Sequence, residues 1–143
     1  MTVATLRPVM SLSELTEFFS QAFPDESSTG DDLVEIGPGR VRIKLDPEAR
    51  NLRPGNLVSG PTQMGLADRA AYAVILAHIG PVAMAVTSNL NFSFLRGVQF
   101  RRLYADARLL KLGRRLATVD VQLWQDDESN VVGQSTVTYA LPG

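Results

Sequence analysis

The segment from Gly60 to Ile79 constrains the fold of this 143-residue chain more than any other. Its apolar residues are distributed all round a helix of 3.6-residue period, and a helix of that kind must be buried on every side. Pro61 fits the first turn, where its missing N–H group is not needed. We therefore predict a central helix at about 60–79. The apolar positions are Met64, Leu66, Ala67, Ala70, Tyr72, Val74, Ile75, Leu76 and Ile79.

A shorter helix is predicted near the start of the chain, at about 11–23. Ser11 and Glu14 have the spacing of a capping box, and apolar residues recur after them at helical intervals. The loop PDESSTGDD then leads to a hairpin, in which LVEI and GRVRIKL join through Gly37-Pro38-Gly39. We interpret the next segment, DPEARNLRPGN, as a loop before the central helix.

Four segments after the central helix alternate apolar and polar residues with a period of two, as half-buried strands do. They are VAMAVTSNLNFSFL, QFRRLYADARLLKL, RRLATVDVQLW and VVGQSTVTYAL. In the first, Leu90, Phe92 and Phe94 share one face, opposite Asn89 and Asn91. The order of elements predicts a single α+β domain over residues 1–143, with one antiparallel sheet wrapped around one long helix.

The composition excludes several kinds of site. The chain has no cysteine, hence no disulfide and no thiolate metal site, and its one histidine, His78, cannot build a multi-histidine metal centre. We interpret His78 as a helix cap or a polar group in the core. The 14 basic and 15 acidic residues nearly cancel, so the charge does not favour nucleic acid. We expect no metal, no cofactor and no nucleic-acid partner.

Two patterns bear on localisation. The segment MTVATLRPVMSLSELTEFF lacks a basic start followed by an apolar run and a cleavage site, so we expect no signal peptide. The longest apolar run, Ala70 to Ile79, is too short to cross a bilayer. We therefore expect a cytoplasmic protein with no membrane partner.

Asp68 is the residue that the burial of the central helix does not explain. A carboxylate on such a helix is costly unless it is paired or takes part in chemistry. One interpretation makes Asp68 and Arg69 a structural ion pair at a subunit interface. The other makes Asp68 a functional group. The spacing of residues alone does not separate the two.

Three segments together resemble the hotdog-fold thioesterases of the PaaI type: SGPTQMGLADRAAYAV, AVTSNLNFSFLR and DARLLKLGRRLATVDVQLW. In that family the central helix reads His-Gly-Gly, four further residues, then Leu-Ala-Asp, and later strands carry an Asn-Phe-Leu-Arg-Pro-like segment and a Gly-Arg turn. The resemblance extends over about residues 33–141. It implies a hotdog fold and hydrolysis of acyl-coenzyme A thioesters at a dimer interface.

The resemblance also implies roles for single residues. Asp68 matches the catalytic carboxylate, and Gly60 matches the glycine whose N–H polarises the thioester carbonyl. Thr87 falls where relatives often carry a Ser or Thr that helps to hold the water. Ser59 stands where the family has His and can still donate a hydrogen bond. Further departures are Pro61 for the second Gly, Gly97 for the Pro after Arg96, and Arg53 where many members carry Asn.

A second group of residues is predicted to bind substrate. The phosphates of coenzyme A need cations at the pocket mouth, and arginines near strand ends can supply them. Gln63 lies one turn before Asp68, either as a polar interface residue or in contact with substrate. The candidates are Gln63, Arg53, Asn56, Arg96, Arg114 and Arg115.

The spacing of Gly60 and Asp68 bears on assembly. Eight residues of helix separate them, about 12 Å at 1.5 Å per residue, so one thioester cannot contact both within a single chain. If both act on one substrate, they come from different subunits, and we expect a homodimer or a dimer of dimers.

Two classes of function remain open at this stage. The first is an acyl-coenzyme A thioesterase in which Asp68 acts as general base or as nucleophile. The second is a non-catalytic hotdog protein that binds an acyl thioester or serves as an oligomeric scaffold. The presence of Ser59 where the family has His favours this second class.

Overall fold

The structure, a computed structural model of the chain, describes residues 6–24 and 32–143. Helix α1 comes first and precedes a hairpin of strands β1 and β2. A small hairpin, β3 and β4, leads into the long helix α2, and four long strands follow. The bounds are α1 Leu12–Ala22, β1 Leu33–Gly37, β2 Arg40–Leu45, β3 Leu52–Arg53, β4 Leu57–Val58, α2 Gly60–Ile79, β5 Val86–Phe94, β6 Leu103–Leu112, β7 Leu116–Trp124 and β8 Gly133–Ala140.

The large sheet wraps around α2. Its six strands are ordered β1-β2-β6-β7-β8-β5, and neighbouring strands pair antiparallel. Alternate residues of the central strands, such as Val119 in β7 and Val137 in β8, are fully buried against the helix. The helix itself is buried without a break from Ala70 to His78. The predicted α+β hotdog architecture, one antiparallel sheet around one long helix, is confirmed.

The helix ends are held by side chains. Ser11 caps α1 and forms the capping box with Glu14. At the C-terminal end of α2, the His78 ring is buried. Its Nε2 accepts a hydrogen bond from the Gly39 N–H at 2.9 Å, and its Nδ1 lies 2.8 Å from the Val74 carbonyl oxygen. His78 is therefore a polar group in the core that ties the β1–β2 turn to the helix.

The interpretation of residues 46–56 as a loop is wrong in part. A 3₁₀ turn occupies Ala49–Asn51, and β3 and β4 form a small hairpin just before α2. Its turn depends on two residues with positive φ, Gly55 at 95° and Asn56 at 60°. Glycine and asparagine are the residues that adopt this conformation most easily, so the short hairpin can close.

Strand β5 lies at one edge of the sheet and runs antiparallel to α2. The start of α2 lies beside the end of β5, since a Cβ on Gly60 would meet the Phe94 ring at 3.3 Å. Farther along α2, Asp68 contacts Thr87, near the start of β5. The inner face of this edge strand is only partly covered, and Phe94 is 53% exposed. Among the described residues, no helix is long and apolar enough to span a bilayer.

Candidate active site

Two hydroxyl groups hold the Asp68 carboxylate. The Thr87 hydroxyl donates to Asp68 Oδ1 at 2.6 Å, and the Tyr139 hydroxyl lies 2.8 Å from the same oxygen and 3.1 Å from the Asp68 carbonyl oxygen. The residues come from α2, β5 and β8, so three elements fix one carboxylate. Both contacts fall on Oδ1, and among the described residues none makes a hydrogen bond to Oδ2.

A bulge in β5 turns Thr87 toward Asp68. Strict alternation would place Thr87 on the outer face together with Asn89. The pairing with β8 shifts register between these two residues, so that Thr87 pairs with Tyr139 and Asn89 with Thr138. Bulges redirect side chains in this way and are common beside active sites. The bulge therefore brings Thr87 onto the inner face.

Tyr139 is a site residue that the sequence analysis missed. Its position in the alternating pattern of β8 indicates an inward side chain, but nothing local indicates contact with Asp68. Tyr139 is 4% exposed, and its ring stacks on Tyr72 with centroids 5.9 Å apart. Burial raises the pKa of Tyr139 well above that of a free tyrosine, and the negative charge of Asp68 raises it further. Hydrogen bonding with Thr87 lowers the pKa but does not cancel the rise. The hydroxyl therefore stays protonated and can donate at neutral pH.

The raised pKa of Tyr139 predicts a loss of stability at high pH. In the unfolded chain a tyrosine ionises near pH 10, whereas in the folded chain Tyr139 keeps its proton. Above about pH 10 the unfolded state binds fewer protons than the folded state, so the free energy of unfolding falls as pH rises. Thermal unfolding followed from pH 8 to 11 should show a smaller decline for Tyr139→Phe than for the wild type. An equal decline in both proteins would contradict this account.

Asp68 lies in an open cleft of about 570 Å³, which we call the Asp68 cleft. Phe23, at the end of α1, and Tyr72 form an aromatic side of it, and small residues form much of the rest. Among the described residues that line it, Asp68 and Arg69 are the charged ones. The residues lining it are Ala22, Phe23, Gly65, Asp68, Arg69, Tyr72, Ala83, Ala85, Val86, Thr87 and Tyr139.

Arg69 faces a different carboxylate from its neighbour in sequence. Its guanidinium lies 3.4 Å from Asp32, which is almost fully buried, and 5.6 Å from the centroid of the Phe23 ring. Burial lowers the pKa of Arg69. The Asp68 carboxylate, by contrast, is hydrogen bonded to hydroxyl groups. Within one subunit, therefore, Asp68 and Arg69 have different partners, and an ion pair at a subunit interface stays an untested interpretation.

Gly60 lines a second cleft of about 440 Å³, the Gly60 cleft, near the other end of β5. Gly60 is the first residue of α2, so its N–H belongs to the first turn. The N–H groups of the first turn have no partners within the helix and attract negative charge. Gln63 is buried here, with Nε2 donating to the Val58 carbonyl oxygen at 3.2 Å. The residues lining the cleft are Arg53, Leu57, Val58, Gly60, Gln63, Phe94, Leu95, Arg96, Gly97 and Val98.

Four predicted site residues line neither cleft. The Ser59 hydroxyl accepts from the Thr62 N–H at 3.3 Å and lies 2.8 Å from Thr62 Oγ1, so it caps α2. Asn56 occupies the β3–β4 turn. Arg114 and Arg115 lie in the turn between β6 and β7. That turn is at the end of the sheet where β5 begins, because β7 and β5 both pair with Ala140 of β8 there.

Comparisons with known proteins agree with this architecture. A solved protein from Silicibacter sp. TM1040, provisionally named a thioesterase, is 36% identical and superposes with a TM-score of 0.85 over 96% of each chain. A provisionally named esterase of Mycobacterium tuberculosis is 30% identical over 80% of this chain and 83% of its own. A protein of Streptococcus mutans, solved bound to acetyl CoA, is 23% identical, with a TM-score of 0.69 over 78% of this chain and 88% of its own.

The fold and the site define a hotdog protein with a carboxylate on its central helix. Residues 55–132 match the Thioesterase superfamily, a range that includes α2 and strands β5 to β7. The chain belongs to the Thioesterase superfamily.

Proposed function

We propose that this protein hydrolyses acyl-coenzyme A thioesters with Asp68 as its catalytic carboxylate. One observation carries the proposal: Thr87 and Tyr139 hold a carboxylate through one oxygen in a largely apolar cleft. A carboxylate that only stabilised the fold would have no need of an adjoining cleft. Membership of the Thioesterase superfamily supports the choice of thioesters as the class of substrate.

The positions of the two clefts support a site shared between two subunits. Gly60 and Asp68 are separated by about 12 Å along α2, too far for one thioester carbon to contact both. Strand β5 runs between the two clefts along an edge of the sheet. An edge strand readily pairs with another chain. Antiparallel pairing of two β5 strands about their midpoint, near Leu90, would place Phe94 beside the partner subunit's Val86.

That pairing would unite the Gly60 cleft of one subunit with the Asp68 cleft of the other. Phe94 lines the first cleft and Val86 lines the second. A two-fold axis would generate two such sites per dimer. Each would contain one helix N-terminus from one subunit and one carboxylate from its partner.

The chemistry follows from these two groups. The thioester carbonyl oxygen would accept a hydrogen bond from the Gly60 N–H, which stabilises the oxyanion as it forms. As general base, Asp68 would take a proton from water while the water oxygen adds to the carbonyl carbon. The C–S bond then breaks, and the coenzyme A thiolate leaves and takes up a proton. As nucleophile, Asp68 would form an anhydride that water hydrolyses. Both routes use the same carboxylate in the same place.

The arginines suggest where the coenzyme A part of the substrate lies. Arg53 and Arg96 line the Gly60 cleft and can bind phosphate groups. Arg114 and Arg115 are exposed in the turn at the end of the sheet nearest Thr87 and would bind the phosphates only if the coenzyme A part left the site on that side. The acetyl CoA bound to the S. mutans protein, a fold relative, supports a coenzyme A ester as the ligand.

A panel of acyl-coenzyme A esters tests the proposal. Free thiol released with time should exceed the background for at least one ester. Light scattering at the assay concentration should give the mass of a dimer or a larger oligomer. A stable monomer that hydrolyses these esters would overturn the shared site.

The non-catalytic alternative rests on Ser59. Its hydroxyl caps α2 through Thr62, and the side chain offers no ionisable group beside the Gly60 N–H. Binding of an ester without thiol release, measured by calorimetry on the same panel, would favour a binding protein over the enzyme.

A further inference from the structure

Gly65 lies within α2, three residues before Asp68, and lines the same cleft. Glycine in the interior of a helix is unfavourable, because it loses more conformational freedom than other residues on folding. Its backbone is helical, a conformation that any residue other than proline adopts there. The presence of glycine at this position therefore needs another explanation.

Packing against the rest of the chain does not supply one. A Cβ built on Gly65 would have no heavy atom of another described residue within 4 Å, apart from its chain neighbours and its own helix backbone. Gly60 differs, because a Cβ there would meet the Phe94 ring at 3.3 Å. Gly65 is exposed and lines the Asp68 cleft, so a side chain at this position would border that open space.

We propose that Gly65 sets the size of the acyl group that the enzyme accepts. The proposal rests on the function proposed above, and it places the acyl group in the Asp68 cleft. The largely apolar lining there suits a hydrocarbon, and Arg69, the one cation among the described lining residues, faces Asp32. The Gly60 cleft has Arg53 and Arg96 and suits the charged part of the ester instead.

On this path the acyl group would lie in the part of the Asp68 cleft beside Gly65, one turn of α2 before Asp68, whereas Phe23 and Tyr72 line the part beyond the carboxylate. A side chain at position 65 would shorten the space available beyond the thioester carbon. Small acyl groups would still fit, whereas longer ones would clash. A substitution at position 65 should therefore change how hydrolysis depends on the length of the acyl group, rather than the chemistry at Asp68.

Two variants test the proposal with acetyl-, butanoyl-, octanoyl- and dodecanoyl-coenzyme A. For Gly65→Leu, kcat/KM with the longest ester that the wild type accepts should fall by about 10- to 200-fold or more, the range for a mismatch of single methylene groups. With acetyl-coenzyme A the fall in kcat/KM should be smaller by at least about tenfold. Gly65→Ala should give a smaller change in the same direction.

A matched control adds the same bulk elsewhere. Ser20→Leu places a leucine on an exposed helical position of α1 that does not line the cleft. Its profile over the four esters should match the wild type. Light scattering of each variant should give the wild-type mass. If Gly65→Leu alone lost the oligomer, the glycine would serve the close approach of a second subunit, and the proposal would be overturned.

The remaining outcomes separate this proposal from the proposed function. Suppose that activity depends on Asp68, but Gly65→Leu leaves kcat/KM unchanged or lowers it equally for all four esters. That result would overturn the role of Gly65 and leave the proposed function standing. Wild-type activity restricted to acetyl-coenzyme A would do the same. A wild-type protein that neither hydrolyses nor binds any of the esters would overturn both.

Discussion

Asp68→Asn should lower kcat for acyl-thioester hydrolysis by at least about 100-fold, because general acid–base catalysis contributes about 10²–10⁴-fold. The amide has nearly the shape of the carboxylate but is neither a base nor a nucleophile at neutral pH. Its oxygen can still accept from the hydroxyl groups of Thr87 and Tyr139, which lie 2.6 and 2.8 Å from Oδ1. Folding and assembly should therefore be retained.

The measurement is steady-state release of thiol from the best ester of the panel, with the melting temperature and the mass in solution as checks on structure. Asp120→Asn is a matched control. Asp120 lies on the outer face of β7 and accepts from Gln134 Nε2 at 2.8 Å. The same change of charge there should leave kcat within about twofold. A kcat for Asp68→Asn within about tenfold of wild type, in a folded oligomer, would show that Asp68 is not the catalytic group.

Mixing two inactive variants should restore about a quarter of wild-type activity. In the shared site proposed above, Gly60→Ala would damage the half that holds the helix N-terminus, and Asp68→Asn would damage the half that holds the carboxylate. A dimer with one subunit of each kind would have one site with both defects and one intact site. Random reassembly of equal amounts makes half of the dimers mixed, and each has one good site of two.

Gly60→Ala requires its own check. The added methyl group would lie 3.3 Å from two atoms of the Phe94 ring, which must shift slightly to accept it. Phe94 is half exposed and lines the Gly60 cleft, so the methyl and the displaced ring together should crowd the thioester. The variant must be inactive alone before mixing is informative.

Subunit exchange must also be verified, for example with two differently tagged proteins that are recovered together. No recovery from two inactive parents after verified exchange would mean that Gly60 and Asp68 act within one chain or not in catalysis. Recovery near a quarter would be hard to explain without a site built from two subunits, because neither parent can supply the group it lacks.

The sequence by itself determined the two helices and the long strands of this fold, and it singled out Asp68, the residue at the centre of the candidate site. The all-round apolar pattern of residues 60–79 requires a buried helix, and the period-two segments after it require strands that cover it. Both patterns are local, so they can be recognised without knowledge of the tertiary structure. Asp68 was conspicuous for the same reason, as a carboxylate on a helix that is otherwise built for burial.

Only the tertiary structure decided what surrounds Asp68. Tyr139 is 71 residues away along the chain and reaches the carboxylate because β8 pairs with β5 and lies against α2. Thr87 faces inward only because the register shifts before Asn89, and strict alternation would have turned it outward. A shift of one residue reverses the face of every side chain beyond it, and register depends on the whole sheet rather than on local sequence. The tertiary structure also separates the arginines, which the sequence pattern does not distinguish. Arg53 and Arg96 line a cleft, whereas Arg114 and Arg115 lie in a turn.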